Sequence, residues 1–249
     1  MRAYAIGDIH GHLDLLEAAH ARIAADRAAT GDHVAPVIHL GDLVDRGPDS
    51  RGVVEFLSAG CAAGRPWVVL QGNHDYLFSL FLDDPDAVAH GRLPAHAWLE
   101  PNIGGASTLA SYGVQEADAR PLAEVHRAAS TAVPASHRRF MAARPGLHRA
   151  AGAIFVHAGI RPGIALEKQS LRDLLWIRDS FLGDRRDHGA LVVHGHTAID
   201  APTHYGNRVN IDSGAAWGGP LSAVVVEEGA VWLLGPAGRQ PLRREWRRA

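Results

Sequence analysis

Short apolar runs recur along the chain at 3–6, 37–40, 67–70, 154–156, 191–193, 209–211, 223–226 and 231–234. Runs of this length, rich in valine and isoleucine and closed by glycine, aspartate or asparagine, predict buried strands. Between the early runs the period changes to that of a helix. Leu13, Leu16, His20 and Ile23 share one helical face, and Val53, Phe56, Leu57 and Gly60 share another. Strand–helix–strand alternation over the first 75 residues predicts a largely parallel sheet with helices packed on it. The last 60 residues instead run strand after strand. An α/β chain with a mixed sheet, or two packed sheets, fits this better than a pure doubly wound fold.

The stretch from about residue 83 to 149 behaves differently. It carries Pro85, Pro94, Pro101, Pro121, Pro134 and Pro145, and only helix-like periodicity. With no Gly/Ser linker, low-complexity tract or internal repeat, it reads as a helical insertion within a single domain spanning 1–249. Trp98 and Tyr112 in this stretch are expected to pack, with stacking on a nucleobase as the functional alternative.

Composition narrows the class. The chain has 249 residues, 47% apolar and 21% charged, with a formal net charge of −2. These values exclude a disordered polymer, a collagen and a coiled coil. No stretch approaches the roughly 18 uninterrupted apolar residues of a membrane span. Near-neutral charge argues against affinity built on nucleic-acid phosphates, so no sequence-specific nucleic-acid binding is expected. The tail arginines Arg239, Arg243, Arg244, Arg247 and Arg248 read as a solvated, frayed terminus. Cys61 is the sole cysteine, which excludes an intramolecular disulfide and a cysteine metal site; a packing thiol is expected. The first residues lack the apolar core of a signal peptide, so a cytoplasmic location is expected.

The chemistry follows the strands. Gly7-Asp8-Ile9-His10-Gly11 comes after the first and Gly41-Asp42-Leu43-Val44-Asp45-Arg46-Gly47 after the second. Gly72-Asn73-His74-Asp75, His157-Ala158-Gly159 and His194-Gly195-His196-Thr197 follow the next three. Ligands of open α/β sheets bind beyond the carboxyl ends of the strands, where all five clusters can converge. Asp, His and Asn offer oxygen and nitrogen donors suited to manganese, iron or zinc. One carboxylate can bridge two cations, and a pair about 3.5–4 Å apart clamps both oxygens of an in-line phosphoryl displacement.

This series of clusters resembles the calcineurin-like metallophosphoesterases. More narrowly it is similar to their bacterial phosphoprotein-phosphatase branch, which includes serine/threonine phosphatases and diadenosine tetraphosphate hydrolases. The motifs run from residue 7 to about 215. The resemblance implies two packed mixed β-sheets flanked by helices. It assigns Asp8, His10 and a bridging Asp42 to one metal, and Asp42, Asn73, His157 and His196 to the second. It implies His74 as general acid with Asp45 orienting it, and Arg46 and Arg178 as phosphate grips. Arg161, just past the fourth cluster, is a further phosphate candidate. Two divalent ions are implied, manganese foremost, with iron or zinc as alternatives.

The implied reaction is direct attack on phosphorus by a metal-bridging hydroxide, with no phosphoenzyme. Ala198 stands where many metallophosphoesterases carry another metal-binding histidine, and Asp75 where eukaryotic phosphatases of the branch carry glutamate. His194 ends an apolar run and is expected in the core or behind a ligand rather than as one. The expected substrate is a protein phosphorylated on serine or threonine. The alternative is a small phosphorylated molecule such as a dinucleoside polyphosphate, and a third reading is a non-catalytic phosphate-binding protein.

Overall fold

The computed structural model describes residues 1–89 and 93–244; Arg247 and Arg248 lie outside the described residues. In chain order the strands are β1 (Arg2–Ile6), β2 (Val37–His39), β3 (Trp67–Val69), β4 (Val88–Ala89), β5 (Leu93–Pro94), β6 (Leu147–Ala150) and β7 (Ala153–Val156). They continue as β8 (Leu191–His194), β9 (Thr203–His204), β10 (Arg208–Asn210), β11 (Ala223–Glu227), β12 (Ala230–Gly235) and β13 (Gly238–Pro241). The helices are α1 (Leu13–Thr30), α2 (Ser50–Ala62), α3 (Asn73–Asp83), α4 (Gly105–Ser111), α5 (Leu122–Ala132), α6 (Ala135–Ala142), α7 (Leu171–Trp176) and α8 (Asp179–Leu182).

Two mixed sheets form, with orders β13-β12-β11-β1-β2-β3 and β6-β7-β8-β10-β9. Strands β1, β2 and β3 run parallel, and β11 joins β1 antiparallel. In the second sheet β7, β8 and β10 are parallel. Strand alternation explains how the sheets stack. On β1, Ala3 and Ala5 face a core shared with Phe155, Val193 and Val209 of the second sheet. Tyr4 and Ile6 point the other way, into a core with Leu16 and Ile23 of α1 and Val53 and Leu57 of α2. Small alanines on the inner face let the sheets approach, while larger side chains fill the helix side. Ile154, Val156 and Val192 on the outer face of the second sheet pack against Leu174 and Phe181.

The 83–149 stretch is not helical throughout. Besides α4, α5 and α6 it holds the paired β4 and β5, and its end forms β6, antiparallel to β7. The turn between β6 and β7 is made by Ala151 and Gly152, both left-handed at φ 49° and 74°. Such a two-residue turn matches the twist of paired strands. Trp98, Leu109, Val125 and Phe140 from this stretch join the same core as β1, α1 and α2.

Arg239 corrects the expectation of a frayed tail. It lies on β13, where its guanidinium binds Asp26 at 2.6 Å and Glu227 at 2.7 Å. Arg2 on β1 also binds Glu227, at 2.5 Å, so the network joins β1, β11 and β13 to Asp26 of α1. Cys61 is half-buried against the helical core, and burial raises its pKa, as a packing thiol requires. Among the described residues no helix is long and apolar enough to cross a membrane.

Candidate active site

The five clusters meet at the carboxyl ends of β1, β2, β3, β7 and β8. Reaching one point from five strands demands sharp turns. His10, Asp42, Asp45, Arg46 and His196 all adopt left-handed backbones, with φ of 46°, 48°, 77°, 69° and 66°. That conformation is costly for residues other than glycine, and its concentration in one place marks a site that the surrounding structure over-determines. Gly195 is required by close approach, since a Cβ there would sit 2.0 Å from Asp8 Oδ1.

Two donor sets share Asp42. Its Oδ2 lies 3.5 Å from His10 Nε2, and its Oδ1 lies 3.4 Å from His157 Nε2. On the second side Asn73 Oδ1 is 2.9 Å from His157 Nε2 and 2.8 Å from His196 Nδ1. Backbone carbonyls fix the tautomers. His10 Nδ1 donates to Val44 O at 2.9 Å and His157 Nδ1 to Leu40 O at 3.0 Å, so each Nε2 turns its lone pair inward. Asp8 Oδ2 accepts the His196 amide at 2.9 Å, while its buried Oδ1 has no partner.

These features fit divalent cations. Donor atoms of Asp42, His157 and His196 lie within 4.8 Å of one another, as do those of His10, Asp42 and His74. An unpartnered buried carboxylate oxygen is expensive unless a cation satisfies it. Burial holds the imidazoles neutral, as ligands must be: it lowers the pKa of His10 to about 3, and pushes His196 and His157 down as well. Burial also opposes ionisation of Asp42, but His157, His74 and His10 outweigh it and lower its pKa. Asp8 is pushed well up, first by burial and then by Asp212 and Asp42.

Beside this centre His74 Nδ1 meets Asp45 Oδ2 at 2.6 Å, and its Nε2 stands 3.9 Å from Asp42. Burial disfavours the imidazolium, yet Asp42 and the Asp45 hydrogen bond together raise the His74 pKa. Asp45 is fully buried and multiply held. Trp98 Nε1 donates to its Oδ2 at 2.7 Å and Thr108 Oγ1 to its Oδ1 at 2.7 Å. Both donors come from the 83–149 stretch. The expectation that Trp98 packs therefore holds, on Phe78 and Phe81, but its N–H has a specific partner.

Arg46 and Arg178 line a cavity of about 220 Å³ together with Asp42, Asn73, His74 and His196. Arg46 Nη1 reaches His10 Nε2 at 3.0 Å. Arg161 is not brought into this cavity. It lines an adjoining groove, and Asp173 engages its guanidinium at 2.5 and 2.9 Å. His194 is core: it is buried, faces the Phe181 ring, and accepts from Arg208 at 3.1 Å. Burial lowers its pKa to about 3.

Sequence reasoning missed Thr108 and Asp212. Thr108 carries no local signal. Asp212 lies in Asn210-Ile211-Asp212-Ser213-Gly214, which is noticeable as a pattern but silent on place. In the structure it lines the cavity with Ala198, and burial raises its pKa to about 6. Asp75 is not among the convergent donors. Its carboxylate receives Leu43 N at 2.8 Å and Gly72 N at 2.9 Å, joining the loops after β2 and β3.

Two stacked mixed sheets bearing a histidine–aspartate centre at their carboxyl ends define a metallophosphoesterase. The family model for calcineurin-like phosphoesterases matches residues 1–218, and the chain belongs to that family. Among its relatives, the bis(5′-nucleosyl)-tetraphosphatase PrpE [asymmetrical] of Anoxybacillus flavithermus is 26% identical over 240 residues, 88% of each chain. The protein of the same name from Bacillus subtilis is 25% identical over 237 residues, 87% of each. The fold is also that of the cold-active protein-tyrosine phosphatase of a psychrophilic Shewanella. That likeness has a TM-score of 0.59 at 15% identity, over 97% of this chain and 80% of the other. The chain is accordingly a metal-dependent phosphoester hydrolase by family.

Proposed function

We propose that this chain hydrolyses dinucleoside polyphosphates, using two divalent cations with manganese foremost. The observation that carries the hydrolytic reading is the division of Asp42, whose two carboxylate oxygens face two separate histidine sets. Asp8, His10 and Asp42 would hold one cation; Asp42, Asn73, His157 and His196 would hold the other. When bound, the pair supplies Lewis acidity toward the phosphoryl oxygens and lowers the pKa of water toward neutrality. Arg46 and Arg178 hold the non-bridging oxygens, as planar guanidinium groups do well. Asp45 fixes the His74 ring through Nδ1, leaving Nε2 to deliver a proton to the departing oxygen. Trp98 and Thr108 keep Asp45 in place.

Two features favour a polyphosphate chain. Arg178 stands where the cavity joins a groove of about 560 Å³ that also holds Arg172, so cationic side chains continue past the reacting phosphorus even though Asp173 pairs with Arg161 there. The similarity to tetraphosphatases covers most of the chain. By analogy with the asymmetrical relatives, diadenosine tetraphosphate would yield ATP and AMP. A cytoplasmic location suits such a substrate.

The second reading is a serine/threonine protein phosphatase. Its favouring observation is that Trp176 and Ile177 share the groove with the arginines, a mixed lining that an extended peptide can use. A product-resolved assay of manganese-loaded protein separates the two. With diadenosine tetraphosphate and a phosphothreonine peptide at equal concentration, the proposal expects adenine nucleotides as the dominant products. Dominant release of inorganic phosphate from the peptide would transfer the assignment to the protein phosphatase.

A further inference from the structure

We propose that Trp217 is a nucleobase platform, stacking the base attached to the phosphate that Arg46 grips. This rests on the nucleotide reading above. Among the described residues Trp217 is the one Phe, Tyr or Trp side chain that is exposed, at 67% of its surface. Every other described ring of these types is at least half-hidden in packing, so the exposed indole serves no core. It nonetheless lines the same cavity as Asp42 and His74.

The ring is presented by a built turn rather than a loose loop. Ala215–Trp217 form one 3-10 turn between left-handed Gly214 and Gly218, at φ 74° and 84°. Trp217 N donates to Gly214 O at 2.8 Å and Gly219 N to the same carbonyl at 2.9 Å. A Cβ on Gly219 would lie 2.2 Å from Ser213 O, so the turn closes tightly. Ser213 Oγ then reaches Ser222 Oγ at 2.6 Å, anchoring the turn to the start of β11.

Arg46 links platform and phosphate. Its guanidinium carbon lies 4.7 Å from the Trp217 ring centroid, a cation–π contact, while Nη1 faces His10 in the centre. A phosphate held by Arg46 therefore sits beside the indole. Arg46 covers one side of the indole, and in a 5′-nucleotide the base hangs one ribose from its phosphate and would stack on the ring surface left exposed. A phosphoserine or phosphothreonine side chain carries no such group. Stacking on an aromatic side chain tolerates any base, so the platform would recognise nucleotides without choosing among bases.

The test uses manganese-loaded wild type, Trp217→Ala and Trp217→Phe. Equilibrium binding of AMP is compared with that of ribose 5-phosphate, and kcat/KM for diadenosine tetraphosphate with that for inorganic tetrapolyphosphate. The wild type should prefer AMP, Trp217→Ala should lose the preference, and Trp217→Phe should keep most of it. The kcat/KM ratio of dinucleotide to tetrapolyphosphate should fall about tenfold in Trp217→Ala, mainly through KM. No AMP preference in the wild type, or one that survives Trp217→Ala, would overturn the platform. A Trp217-dependent AMP preference without cleavage of diadenosine tetraphosphate would leave the platform standing and defeat the functional reading alone. Efficient dinucleotide cleavage with an unchanged ratio would do the reverse.

Discussion

The indole of Trp98 and the carboxylate of Asp45, 53 positions apart in sequence, share a buried 2.7 Å hydrogen bond on the oxygen that His74 also meets. In the proposed mechanism the stretch between α3 and β6 thus has a task beside its packing. It clamps the carboxylate that orients the imidazole, and Thr108 completes the clamp on the other oxygen. A carboxylate free to rotate would let the ring drift from the departing group.

Trp98→Phe removes the donor while keeping an aromatic ring on Phe78 and Phe81. We expect kcat to fall about tenfold at unchanged manganese content, the usual scale for a residue that orients another. Steady-state kinetics with metal analysis checks this. An unchanged kcat would remove Trp98 from any positioning role.

His74→Asn can keep the hydrogen bond to Asp45 but cannot deliver a proton. Loss of a general acid lowers rates by about 10²–10⁴-fold, and the deficit grows as the leaving group becomes poorer. The variant should therefore lose far more activity on an alkyl phosphate than on p-nitrophenyl phosphate, with both metals retained. Equal losses on the two substrates would contradict the assignment.

The network of Arg239, Asp26, Glu227 and Arg2 predicts an acid limit to stability. The guanidinium of Arg239 and the Tyr4 hydroxyl overcome burial and hold the Asp26 carboxyl below its usual range; Arg239 and Arg2 lower Glu227 likewise. A depressed folded-state pKa stabilises the fold above the unfolded value, about 4, and is lost as pH falls through the folded one. Arg239→Ala should cost about 1 kcal/mol at pH 7 and progressively less below pH 4. Thermal denaturation from pH 3 to 7 measures this, and a cost independent of pH would refute the ion-pair account.

How far the sequence carries depends on where the information lies. Strands β1, β2, β7, β8 and β11 were legible because both faces are buried and the chain writes them as continuous apolar runs. The polar clusters after them were legible because each holds its donors within a few residues. Strands β6 and β13, Leu147–Ala150 and Gly238–Pro241, carry no such pattern; they form on sheet edges, where pairing with a neighbour decides. The roles of Trp98 and Thr108 depend on a helical segment folding back over the β2 loop, which no local pattern records. Arg161 shows the opposite error, since nearness in sequence to His157 does not aim its guanidinium at the centre; Asp173 takes it.

Metal stoichiometry tests the central claim most directly, because Asp42 sits between the two donor sets. Manganese bound per chain, measured on wild type and Asp42→Asn after equilibrium dialysis, should be two equivalents for the wild type. It should be less than one for the variant, with secondary structure intact and hydrolysis abolished. One equivalent in the wild type, or two retained by Asp42→Asn, would contradict a centre built around a shared carboxylate.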